Sequence, residues 1–246
     1  MPSYFIESHM VDADRVEITG PLARHLGGSL RLRAGERLVL VNGRDRLDTM
    51  VEEVARDRVG ARITEIRTVP EDPVRVTLAM GLPKGKKLEE VVRRAVELGV
   101  HRVVPVVTGR SVPRPGEKEG RAERLAAIAL EAAQQSGRME IPAVSAPIDL
   151  DAFLAEPAPD LGLVLWERET TRPMLDLLEA GGGGLDAGNL ALFVGPEGGL
   201  SEKEVARLVA RGYHCAHMGP YILRTETAAI ACLAVAAATL WRGARP

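Results

Sequence analysis

Two stretches of this sequence set an apolar run against a short glycine- and proline-containing turn and then an amphipathic helix. They are LFVGPEGGLSEKEV at Leu192–Val205 and MGPYILRTETAAIACLA at Met218–Ala234. Units of this kind build open α/β sheets, so both turns are expected to open at the same sheet edge. Ligands of such sheets sit outside the carboxyl ends of the strands, where backbone N–H groups and helix N-termini converge. The segment GPEGG at Gly195–Gly199 contains neither G-x-G-x-x-G nor a following Lys-Ser/Thr. The dinucleotide fingerprint and the phosphate-binding P-loop are therefore both excluded.

The rest of the chain divides by rhythm. Up to about Thr68, short β-like runs (Arg15–Ile18, Glu36–Asn42, Asp48–Val54, Val59–Ile66) alternate with Gly, Asn and Asp turns, the pattern of a small β-barrel. VPEDP at Val69–Pro73 is a stiff polar connector. From Val74 onward strands (Val76–Met80, Arg102–Val107, Leu161–Trp166, Asn189–Val194) alternate with helices (Lys87–Leu98, Lys118–Ser136, Met174–Glu179, Glu202–Arg211, and a long one after LRTETA). Alternation of this kind specifies a mostly parallel sheet with helices on both faces. The expected fold class is α/β, with one domain over residues 1–70 and a second over 74–246. Ser201 and Glu204 have the spacing of a capping box and fix where the GPEGG loop ends. GGGG at Gly181–Gly184 reads as a flexible linker.

Composition narrows the class. With 246 residues, 46% of them hydrophobic, the chain has enough apolar material for packed cores. Ala228–Leu240 is apolar over only about 13 residues, short of the roughly 20 that span a bilayer, and no secretory leader opens the sequence. A cytoplasmic protein without membrane partners is expected. Cys215 and Cys232 read as packed thiols, and scattered histidines and cysteines give no metal site. A net charge of −2 means that any nucleic-acid contact must come from local patches. Arg24, Arg31, Arg33, Arg37, Arg44 and Arg46 form one against few acids, and Lys84, Lys86, Lys87, Arg93 and Arg94 form another. Arg93 and Arg94 have Glu89, Glu90 and Glu97 at helical neighbour spacing and read as a solvated face.

Four blocks together, HLGGSLRLRAGERLVLVNG (His25–Gly43), KGKKLEEVVRRAVELGV (Lys84–Val100), EAAQQSGR (Glu131–Arg138) and the pair GPEGGLS and LRTETA, resemble the ribosomal small-subunit methyltransferase E family. This family of 16S rRNA uridine-N3 methyltransferases belongs to the SPOUT superfamily. The resemblance implies S-adenosyl-L-methionine as cofactor, 16S rRNA of the small ribosomal subunit (at U1498) as substrate, and a homodimer. It further implies a PUA-like RNA-binding barrel followed by a SPOUT domain with a deep trefoil knot. Knots are so rare that no periodicity suggests one.

Methylation at uridine N3 requires removal of the imide proton and stabilisation of the charge left on the uracil. Arg224 and Glu226 in LRTET, with Glu197 at the tip of the facing turn, supply suitable groups. Arg224 is expected to orient the uracil or its phosphate; Glu226 is the first candidate base and Glu197 the second. The cofactor is expected to use Leu165, Gly195, Pro196, Gly198, Gly199, Met218, Gly219, Ile222, Leu223 and Thr227, which combine apolar side chains with open backbone. Phe193 reads as core. Arg24, Arg31, Arg33, Lys84 and Arg138 are the expected RNA contacts, and His25 reads as structural. Tyr221 departs from the family, in which many members place a basic residue there; a phenol stacks on a base but cannot neutralise a phosphate. Two rival readings are a SPOUT ribose 2′-hydroxyl methylator, whose last turn is richer in Ser and Asn, and a non-catalytic RNA-binding assembly factor.

Overall fold

The computed structural model describes residues 2–111, 120–179 and 188–241; the GGGG run and the expected start of the helix at Lys118 lie outside them. The chain divides into two compact units, Met1–Glu71 with Ala133–Ile141, and Asp72–Ala132 with Pro142–Pro246.

In the first unit, β1 (Ser3–Phe5), β2 (Val11–Asp12), β3 (Arg15–Thr19), β4 (Arg37–Asn42), β5 (Asp45–Val54) and β6 (Arg58–Thr68) form one sheet in the order β1-β4-β5-β6-β3-β2. Alternation decides the inner face: in β3, Val16 and Ile18 are buried while Arg15, Glu17 and Thr19 are exposed. Register breaks between Asp48 and Thr49 and between Val51 and Glu53 bend the β5–β6 pair. The sheet curls around Ile18, Leu26, Leu40, Leu47 and Val59. All four strands expected here are present. β1 and β2 were not expected, because they are too short to show a period, and they lie at opposite ends of the strand order. Among the described residues no ladder joins them, so the observed form is a curled sheet. A short helix α1 (Gly20–Arg24) runs into a π-helical turn at His25–Ser29, which leads to the exposed loop before β4.

The second unit is a parallel sheet of β7 (Val74–Gly81), β8 (Arg102–Val107), β9 (Ala143–Val144), β10 (Ile148–Asp149), β11 (Leu161–Leu165), β12 (Gly188–Val194) and β13 (Tyr213–Ala216). Its order is β10-β8-β7-β12-β11-β13, with β9 on β8. Helices α2 (Lys87–Glu97), α3 (Arg121–Ser136), α4 (Leu150–Ala155), α5 (Met174–Glu179), α6 (Glu202–Ala210) and α7 (Thr225–Leu240) separate the strands. On one face Ala79, Val104, Val164, Phe193 and Cys215 pack with Leu150 and Phe153 of α4 and Val205 and Leu208 of α6. The alternate residues Leu78, Met80, Val103, Leu163 and Leu192 are equally buried, and α7 packs on β7, β12, α2 and α5. Both faces are covered, which is why these strands read as continuous apolar runs. α3 ends at Ser136 as expected: Gly137 has φ +72, and the Arg138 N–H reaches back to the Ala133 carbonyl at 3.0 Å.

Candidate functional site

Because all strands of the second sheet are parallel, their carboxyl ends share one edge. The segments leaving β11, β12 and β13 border a cleft of about 1030 Å³ there. Backbone hydrogen bonds lock the first segment to the third: Trp166 N–H to Ala216 O at 3.1 Å, His217 N–H to Arg172 O at 3.0 Å, and Met174 N–H to His217 O at 2.9 Å. The Glu169 carboxylate organises the loop between them, accepting from the Thr171 hydroxyl at 2.6 Å, the Thr171 N–H at 2.8 Å and Arg172 Nη2 at 3.0 Å. These bonds, led by Thr171, outweigh desolvation and hold Glu169 at a pKa of about 2.

The GPEGG segment closes as a turn, with the Gly199 N–H donating to Pro196 O at 2.8 Å. Gly199 has φ +68, a left-handed backbone that is strained for residues with a Cβ, so glycine is favoured at this point of the turn. The expected capping box is present: Glu204 N–H donates to Ser201 Oγ at 3.3 Å, and Ser201 N–H to Glu204 Oε2 at 2.8 Å. Glu204 Oε1 also accepts from the Gly109 N–H at 2.8 Å, so one carboxylate ties the exit of β8 to the start of α6. Its burial acts to raise its pKa, but bonds from Gly109 and Ser201 win and keep it ionised below the usual range. Arg110 Nη1 donates to Gly198 O at 2.8 Å from the same exit loop.

The charged groups converge on Lys87, the first residue of α2. Its Nζ lies 3.1 Å from Glu197 Oε1 and 3.1 Å from Glu226 Oε2. The Lys84 N–H adds a bond to Glu197 Oε1 at 3.2 Å. Desolvation pushes Glu197 up, but hydrogen bonds from its own N–H, Lys87 and Lys84 together bring it below the usual carboxylate range. Glu226 is lowered chiefly by its own backbone N–H, with Lys87 adding to this against desolvation. Lys87 is correspondingly raised by Glu197 and then Glu226. Arg224 caps α7 with extended backbone and lines the cleft. Among the described residues it has no ion-pair partner.

Of the residues expected at the site, Leu165, Gly195, Pro196, Glu197, Gly198, Gly199, Met218, Gly219, Ile222, Leu223 and Arg224 all line the cleft. Glu226 reaches its edge through Lys87. Thr227 is exposed and is not among the lining residues; Thr225, buried, is the threonine that lines it. Phe193 is fully buried, edge-on to Phe153 at 5.4 Å, as core. Cys215 and Cys232 are buried thiols. In the first unit Arg24, Arg31 and Arg33 are exposed, and no ion pair holds them among the described residues. Arg44 and Arg46 instead pair with Glu71 and Asp48. Lys84 is exposed, whereas the Arg138 side chain is only 11% exposed and lies 3.8 Å from Glu140, which suits packing better than RNA contact. Arg94 pairs with Glu97 as expected, but Arg93 reaches Glu131 on α3. Sequence reasoning missed Lys87, Trp166, Glu169, Thr170, His217 and Thr225 as cleft residues. Two of these carried a signal: Lys87 lies in the block Lys84–Val100, where it reads as one of a basic cluster, and Thr225 lies inside the LRTETA turn.

The family of RNA methyltransferase domains matches residues 70–237. Ribosomal RNA small subunit methyltransferase E of Bacillus subtilis is 34% identical to this chain over 95% of its length and 94% of the relative's. The chain belongs to the ribosomal RNA small subunit methyltransferase E family. A crystal structure of ribosomal RNA small subunit methyltransferase E from Neisseria gonorrhoeae, bound to S-adenosyl methionine, is 28% identical with a TM-score of 0.82, covering 98% of each chain. A putative methyltransferase from Legionella pneumophila, in complex with the bound cofactor SAM, is 28% identical with a TM-score of 0.79, over 97% of this chain and 96% of that one. This member of the methyltransferase E family thus shares its architecture with relatives over nearly the whole chain.

Proposed function

We propose that the protein is an S-adenosylmethionine-dependent methyltransferase of 16S rRNA that methylates N3 of a specific uridine. The observation that carries this reading is the meeting of three β-strand exits, the Arg224 guanidinium and a Lys–Glu–Glu cluster at one cleft, in a chain of the methyltransferase E family. The lining suits the cofactor. Leu165, Met218, Ile222 and Leu223 offer an apolar slot, the glycine turns offer backbone polar groups, and Trp166, also in the lining, has a buried indole N–H with no acceptor.

When bound, the cofactor supplies an electrophilic methyl group on a sulfonium. The N3–carbon bond forms as the carbon–sulfur bond breaks, its electron pair stays on sulfur, and the N3 proton leaves to a base or solvent. Arg224 is assigned to the uracil, where its planar fork meets the developing negative charge. Glu226, then Glu197, is assigned to the proton. Both are held below the usual carboxylate range, which makes them weak bases and sets the expected benefit at the low end of the 10²–10⁴-fold range for general bases. Tyr221, 84% exposed, and Ile222, 83% exposed, also line the cleft. Such apolar surface suits an unstacked base.

The reading extends to the whole chain. The first domain, residues 1–70, acts as a PUA-like RNA-binding barrel through Arg24, Arg31 and Arg33; residues 74–246 form a knotted SPOUT domain that pairs as a homodimer in the cytoplasm. Incubation with S-adenosylmethionine and small subunits or 16S rRNA lacking the modification, followed by nucleoside mass spectrometry, tests it. The expected product is 3-methyluridine at one site. A 2′-O-methylated nucleoside would favour the ribose reading, and no methyl transfer would favour the assembly factor.

A further inference from the structure

A helix dipole favours anions at its N-terminus and opposes a cation there, yet Lys87 is the first residue of α2. The same turn already holds Glu89 and Glu90, and Glu89 accepts from Arg124 at 2.7 Å. The Lys87 ammonium goes instead to Glu197 and Glu226, on two other segments. A residue placed against local preference, with its ammonium 3.1 Å from carboxylates on two other segments, marks a position set by the site and not by the helix.

We propose that Lys87 is the positioning residue of the cleft: its ammonium ties the GPEGG turn to the first turn of α7 and fixes the spacing of two carboxylates beside the ligand. Only the identity of that ligand rests on the methyltransferase reading. Both carboxylate oxygens lie 3.1 Å from one nitrogen, so they are no further apart than twice that distance. Without the ammonium they repel at short range, and the two turns that carry them are pushed apart. The other charged groups facing the cluster do not replace Lys87. Lys84 offers Glu197 only its N–H, Arg224 acts on Glu226 through space, Lys86 and Glu90 line a second hollow together with Lys87, and Glu169 is taken up by its own loop. His217 lines the cleft and its Nδ1 accepts from the Gly219 N–H at 3.2 Å.

The test uses the full chain with Lys87→Met and Lys87→Arg. In the ligand-free protein, hydrogen exchange of Gly195–Leu200 and Leu223–Ala229 should accelerate together by at least tenfold in Lys87→Met. The titration midpoint of one of the two glutamates, followed by carboxyl ¹³C resonances, should rise by about one pH unit or more. Affinity for S-adenosylmethionine, measured by calorimetry, should fall at least tenfold near pH 8 and less near pH 5, where one carboxylate takes up a proton and the repulsion is relieved. Lys87→Arg should recover most of each effect. Unchanged exchange and titration in Lys87→Met overturn the proposal, as does an equal affinity loss at both pH values. If wild type binds no S-adenosylmethionine while exchange and titration respond as described, the clamp stands and the methyltransferase reading fails. Should Lys87→Met not fold, Lys87→Gln gives the same readouts with a smaller change in polarity.

Discussion

Gly81 and Pro196 meet so closely that a Cβ on Gly81 would lie 2.4 Å from Pro196 Cδ and 2.5 Å from Pro196 N. Gly81 ends β7 and Pro196 sits in the turn after the neighbouring β12, so a bare backbone at Gly81 sets how deep that turn lies. Gly81→Ala is expected to cost about 1–3 kcal/mol through overpacking and to weaken S-adenosylmethionine binding by shifting the turn. Thermal denaturation and calorimetry check both; wild-type affinity would detach the turn from the cofactor.

Glu226→Gln keeps the shape of the side chain but removes its basic function. Because Glu226 is held ionised and is a weak base, turnover is expected to fall by roughly 10²-fold, the low end for a lost general base. Raising the pH should narrow the gap, since ionised uridine needs no base. Single-turnover rates across pH report this. Loss in Glu197→Gln alone would move the role to the GPEGG turn, and activity in both variants would leave Arg224 as the group that matters.

Arg31 and Arg33 are exposed in the loop between Ser29 and β4 and have no ion-pair partners among the described residues. The double change Arg31→Ala, Arg33→Ala is expected to weaken 16S rRNA binding and lower the slope of log K against log salt by about 2, with cofactor affinity unchanged. Filter binding at several salt concentrations gives the slope; one equal to wild type would make the patch a solvated surface.

Acid titrates the loop after β11. The Glu169 carboxylate is held at about 2 in the folded chain, below its ordinary 4.5. A lowered folded-state pKa stabilises above the unfolded value and is lost as pH falls through the folded one. The Tm difference between wild type and Glu169→Gln should therefore hold constant above about pH 5 and shrink toward pH 2. A pH-independent difference would show that Glu169 acts by packing alone.

Much of this could be read from the chain because its signals are periodic or local. Continuous apolar runs such as RVVPVV give β8 with its observed bounds, and Ser201 with Glu204 locates the start of α6. What escaped was short or long-range. Tyr213–Ala216 carries no clear period, so the strand β13 itself was missed, although the turn that follows it at Met218 was expected at the sheet edge. Glu204 was legible as a cap but not as the acceptor for Gly109, because that partner lies 95 residues away. Lys87 looked like one more surface lysine, since nothing near it in sequence reveals carboxylates brought in from Glu197 and Glu226. Arg138, expected as an RNA contact from the family resemblance of EAAQQSGR, has a side chain only 11% exposed, a burial that no local pattern in that block reveals.

The Lys87 to Glu226 contact also bears on when the protein becomes competent during its synthesis. The cluster needs segments separated by most of the second unit, so a nascent chain that has produced β7, α2 and even the GPEGG turn still has no partner for one side of that ammonium. Contacts of such separation form after local ones. Cofactor capture should therefore be confined to chains whose α7 has left the ribosome, and partly made chains should not sequester methyl donor.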